Sequence, residues 1–159
     1  MSTYDWLLFF HITGAFLLGG GVVVAGAFNL AAQFRRKPSE IALLFGLTRY
    51  AVVPVIAGGL LTLSFGLALV AEAPWAYSYG QGWVIAAIVL WVLGMAMGES
   101  GGRRDRKAHE LAERLAAEGD QPSAELEARV RDPLSLFLSY GSSVVIVAML
   151  AIMIWKPGS

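Results

Sequence analysis

His11 is the residue best equipped for chemistry, an imidazole set in the uncharged run FFHITGAFLLGGG that spans residues 9–21. Its ring can exchange hydrogen bonds, ligate a metal, or move a proton near neutral pH. Three readings stay open: a hydrogen bond to a neighbouring helix, ligation of a haem iron or metal, and a proton relay. Metal ligation normally takes several donors, and the only other histidine, His109, lies in the polar stretch RKAHELAERLAAEG. A symmetric dimer would supply a second His11. Met95, Met97, Met149 and Met153 offer the soft thioethers that copper accepts, although methionine is also common filler in membrane cores. Ser135, Ser139, Ser142 and Ser143 recur at helical spacing beside Tyr140. They either line a polar pathway or cofactor edge, or bond from helix to helix. Cysteine is absent, which excludes disulfides, thiolate metal sites and cysteine nucleophiles.

These groups sit in a chain built for lipid. Hydrophobic residues make up 57% of the 159 residues and charged ones 15%, against about 45–50% and about 25% in soluble domains. A membrane span needs about 20 mostly apolar residues. Four stretches qualify, at about 5–34, 50–71, 83–98 and 134–155, in a single membrane domain over 1–159. The N-terminus MSTYDW carries Asp5 and no basic residue, so the first stretch is read as a retained span rather than a signal peptide. The expected fold is all-α, an integral membrane four-helix bundle. The polar segment 99–132 is expected to form a short cytoplasmic helical hairpin between spans 3 and 4. One arm ends at Gly119 and the other starts near Ser123.

Charge sets the expected orientation. Of twelve Lys and Arg, only Lys156 falls outside the first and third connections. The positive-inside rule puts those connections in the cytoplasm and both termini outside, in a bacterial inner membrane. Tyr4, Trp6, Trp75, Tyr77, Tyr79, Trp83 and Trp155 fall at the opposite boundary, the layer that amphipathic aromatics prefer. In the first connection, Ser39 can cap a short interfacial helix, or the segment simply starts a long second helix. Glutamates interleave with the bases of the third connection, which excludes nucleic acid as a partner. The lipid bilayer is the expected partner, with a homo-oligomer or larger membrane complex beyond it.

At 100° per residue, His11 shares a face with Ala15, Leu18, Val22, Ala25 and Asn29. Ionisable groups in a span usually face the bundle interior, so His11 is expected to point inward. Gly19, Gly20 and Gly21 are a candidate bend or close-packing point. In the second span Pro54, Gly58, Gly59 and Gly66 allow a kink and tight packing, and Thr62 or Ser64 can satisfy freed backbone groups. Arg49 opens the second span and Glu99 closes the third at similar depth, so the two are expected to pair.

DWLLFFHITGAFLLGGG and LTRYAVVPVIAGGLLTLSFGLALV resemble segments of bacterial predicted integral membrane proteins of unknown function. That family is related to the copper-resistance-D-like membrane domains and the HemJ-type protoporphyrinogen oxidases. The resemblance implies a four-helix bundle with the histidine inward, and by position it gives His11 the role of a haem b ligand. A membrane lysine matters in the HemJ-like relatives, and the spans here contain none. The residues themselves lead to a non-enzymatic, structural, accessory or oligomeric membrane protein, and they name no cofactor beyond the haem b that His11 leaves open. The alternatives are a haem-b-binding redox or haem-handling protein with His11 as axial ligand, and a small transporter subunit.

Overall fold

The computed structural model describes residues 2–157, and every regular element among them is helical: α1 (Thr3–Gln33), α2 (Pro38–Glu72), α3 (Gly82–Ala117), α4 (Ala124–Val130) and α5 (Pro133–Trp155). Four of these helical stretches are long and apolar enough to cross a membrane. Three of the long helices begin at a local signal. Ser2 and Asp5 form a reciprocal capping box on α1. Proline occupies the first turn of α2 and of α5, where its missing N–H costs nothing. Asp132 caps α5 by accepting from the Ser135 N–H at 2.9 Å.

One expectation needs correction. The segment 99–117 is not the first arm of a separate hairpin; it continues span 3 as one 36-residue helix. Charge ends the apolar signal near Glu99 but breaks no backbone bond. No proline interrupts the stretch, and the i,i+4 pair Glu99–Arg103 at 2.9 Å supports it. Only the seven-residue α4 remains as a separate element. Of the two readings of the first connection, the long second helix is the one found: it starts at Pro38 without a break before Arg49, and its N-cap is Lys37 rather than Ser39.

Ser39 has another role. Pro38 lacks an N–H, so the first free donor of α2 is the Ser39 amide, and it reaches Asp120 Oδ1 at 2.7 Å. The Ser39 hydroxyl donates to Asp120 Oδ2 at 2.7 Å. Asp120 is delivered by the turn that ends α3, where Gly119 has φ +125° and Asp120 φ +56°. The Asp120 N–H closes that turn on the Leu115 carbonyl at 3.1 Å. Both bonds from Ser39 favour the carboxylate and hold the Asp120 carboxyl below its usual range.

Two modes of packing assemble the bundle. At the basic end Ala32, Ile41, Phe45, Ala108, Leu111, Ala112, Leu126 and Val130 bury one another and tie α1, α2, α3 and α4 together. Between the apolar stretches α1 lies directly on α2. A Cβ at Gly58 would overlap the Leu18 amide nitrogen and meet the Gly14 carbonyl oxygen at 2.6 Å. A Cβ at Gly21 would meet Val55 Cγ2 at 2.7 Å. Leu18, Ala87, Ile146 and Met149 close the middle. Large apolar side chains such as Phe16, Val23, Val144 and Ile154 point outward, which suits a lipid surround.

Candidate functional site

His11 lies against α2. Its Nδ1 is 2.9 Å from the carbonyl oxygen of Thr62. A carbonyl only accepts, so Nδ1 carries the proton and donates. The ring can approach because residue 66 is glycine: a Cβ there would stand 2.9 Å from His11 Cε1 and 3.0 Å from Nδ1. With Nδ1 committed, Nε2 is the free coordinating position of the neutral ring. A backbone carbonyl holding one imidazole nitrogen is the usual way a protein fixes the tautomer of a ligating histidine.

The ring lines a cavity of about 230 Å³ near the aromatic end. Leu8, Val84, Ala87, Ile88 and Trp91 supply apolar walls, and Met149 and Met153 add two thioethers. Trp91 is fixed through its Nε1–H, which donates to the Gly59 carbonyl at 3.1 Å. Thr62 also lines the cavity; it is buried, and its hydroxyl has no partner among the described residues. Lys156 borders the same space. It leaves α5 in the left-handed region, φ 42°, and its Nζ donates to the Tyr77 hydroxyl at 2.8 Å. The ammonium sits 4.6 Å from the Tyr77 ring centroid and 5.7 Å from that of Trp83. Its hydrogen bond holds the Tyr77 phenol below the usual range. The cavity thus combines an oriented imidazole, thioethers and apolar walls with a cation.

The other residues singled out from sequence are dispersed. Gly21 faces α2, whereas Gly19 and Gly20 face open space, and α1 runs through all three unbroken. Arg49 and Glu99 do not pair. Glu99 Oε1 takes Arg103 Nε at 2.9 Å and Arg106 Nη2 at 3.0 Å, while the Arg49 guanidinium lies over the Tyr50 ring. Helix continuation beyond residue 98 brings those two arginines within reach of Glu99. Ser139 packs on α3 opposite Gly101, and its carbonyl accepts from the hydroxyls of Ser142 and Ser143 at 2.7 and 3.3 Å. The four methionines are not gathered: Met95 lies beside Gly59 and Met97 beside Gly141. No group of three or more His, Asp or Glu suited to a metal occurs among the described residues.

Lys156, Tyr77 and the Thr62–Gly66 seat were not recognised as one site from sequence. Lys156 reads as a chain-terminal charge, and only its position after an aromatic-rich boundary hints at a neighbouring ring. Gly66, one turn after Thr62, is the signal that the Thr62 carbonyl is open to a visitor.

Four long apolar helices with an outward-facing greasy surface define a polytopic integral membrane protein. The chain belongs to the DUF2269 family, described as "Predicted integral membrane protein", whose model matches residues 5–157. No curated protein and no solved structure matches it.

Proposed function

We propose that this is a non-enzymatic membrane protein that binds haem b in the cavity near its aromatic end, with Nε2 of His11 as axial ligand. The observation behind this reading is the His11–Thr62 bond, which spends Nδ1 on the backbone and leaves Nε2 beside a cavity. The donor set fits the group. The His11 imidazole and the Met149 and Met153 thioethers would be the residues to hold an iron, and Lys156 would be available to a carboxylate. Haem b would supply a redox-active iron; the chain's own residues fix the imidazole. At about 230 Å³ the cavity lies below the roughly 300–1,000 Å³ usual for drug-sized ligands, so seating a macrocycle requires wall side chains to turn. Kinship with the copper-resistance-D-like and HemJ-type proteins belongs to this reading. So does an orientation with the basic end in the bacterial cytoplasm and both termini outside, supported by the segregation of Lys and Arg.

The glycine contact of α1 with α2 favours a second reading, in which His11 is only a clip between helices of an accessory subunit. One experiment separates the two. Protein purified after expression with haem supplied is expected to show a Soret band. His11→Gln keeps a donor for the Thr62 carbonyl but has no imidazole, so it should remain folded and lose the band. A flat spectrum from folded wild-type protein would leave the clip alone.

A further inference from the structure

A second cavity, of about 170 Å³, opens toward the basic end, and its chemistry differs from that of the first. Asp105 of α3 lines it. Its Oδ2 accepts from Asn29 Nδ2 of α1 at 2.7 Å, and its Oδ1 from Ser135 Oγ of α5 at 3.2 Å. Both donors are neutral and buried. The nearby cations are engaged elsewhere, Arg103 and Arg106 on Glu99 and Arg104 on Asp132. No Lys or Arg pairs with Asp105 among the described residues.

A carboxylate offers about four lone-pair positions, and Asn29 and Ser135 fill two. The Ser142, Ser143 and Thr48 hydroxyls add acceptors. Ser142 and Ser143 give their protons to the Ser139 carbonyl, and Thr48 gives its own to the Leu44 carbonyl at 3.0 Å. Each therefore presents oxygen lone pairs to whatever enters. Tyr140 also lines the cavity, its hydroxyl accepting from Gln33 Nε2 at 3.0 Å. The wall also carries the Glu99–Arg106 ion pair, which is closed on itself at 3.0 Å; the remainder is mostly apolar, with Val22, Val52, Val55, Ile56 and Ile146.

We propose that this cavity binds a lipophilic primary amine in its protonated form, the ammonium on Asp105 and the hydrocarbon against the valine and isoleucine wall. An ammonium brings three donors and no acceptor, the complement of Asp105 and the three spent hydroxyls. A bare alkali ion would leave the valine and isoleucine wall unused, and an anion would meet the Asp105 carboxylate. The site shares no lining residue with the cavity around His11 and stands whether or not haem b binds there.

The test titrates n-hexylammonium chloride into the full chain in lipid nanodiscs, reading melting temperature and calorimetric binding. Hexanol, hexanoate and NaCl at matched concentration serve as comparisons. Hexylammonium is expected to stabilise saturably, and the other three are not. Asp105→Asn should weaken binding by at least about tenfold, the loss of one charge-assisted hydrogen bond. Ser143→Val leaves the Asn29–Asp105–Ser135 ties in place and should weaken it by a smaller factor, which covers the case of an unfolded Asp105 variant. Equal effects of hexanol and hexylammonium, reproduction by NaCl, or unchanged affinity in both variants would overturn the proposal.

Discussion

The charged end of the molecule and its apolar middle are held together by opposite means. At the charged end bulky side chains meet: Ile41, Phe45, Leu111, Leu126 and Val130 bury one another around the alanines of α1 and α3. In the middle α1 meets α2 where side chains are missing, at Gly14, Gly21 and Gly58. The solvent accounts for the contrast. Water drives apolar groups together, so the end carrying the arginines gains by hiding leucine and phenylalanine. Lipid tails are as apolar as leucine and give no such drive, so helices there associate through close van der Waals approach and hydrogen bonds, which small residues allow. The bond from His11 to the Thr62 carbonyl and that from Trp91 to the Gly59 carbonyl belong to the second regime.

Substitutions can break or sharpen this contrast. Leu126→Ala, at a side chain 1% exposed, should cost the most, about 3 kcal/mol. It should show as loss of the charged-end structure in hydrogen exchange, with the apolar middle still protected. Gly58→Ala forces a methyl onto the backbone of α1 and should cost about 2 kcal/mol, measured as melting temperature in detergent, with the protection pattern reversed. Gly19→Ala is the control from the same helix. It faces open space, so relief of glycine's flexibility should raise stability by about 0.5 kcal/mol. A loss there comparable to that at Gly58 would break the account of α1 and α2.

The smallest effect concerns Asp120→Asn, which keeps a residue tolerant of the left-handed turn but gives up the charge. The Asp120 carboxyl is held below its usual value in the folded state. Its contribution is therefore complete above about pH 3.9, the ordinary value, and is lost as pH falls through the lower folded one. The variant should melt slightly below the wild type at neutral pH, and the gap should close in acid. A gap independent of pH would assign it to turn geometry rather than charge.

The four spans are legible because hydropathy reports the surround directly, and α1 and α5 end within a few residues of where it places them. The start of α2 and the end of α3 are not, because a helix does not stop where its apolar face stops. Pro38 opens α2 well before Tyr50, and α3 runs on through Ser100, Gly101 and Gly102 as far as Ala117. The same overrun hides the partners of Glu99, which lie one and two turns along its own helix. On α1 the line through Leu18 and Asn29 follows the buried side, since period and small residues are local properties. Asp105 could not be distinguished in GRRDRK, where an acid among arginines reads as solvated. Its actual neighbours, Asn29 and Ser135, come from two other helices, and no pattern along the chain joins them.

The seat of His11 on Gly66 also links two positions far apart in the chain. A methyl at 66 and an imidazole at 11 would claim the same volume. Any descendant sequence that acquires a side chain at 66 must therefore trade the imidazole for a smaller group, or rotate the ring away and reopen the Thr62 carbonyl. A change at position 66 is thus felt at position 11.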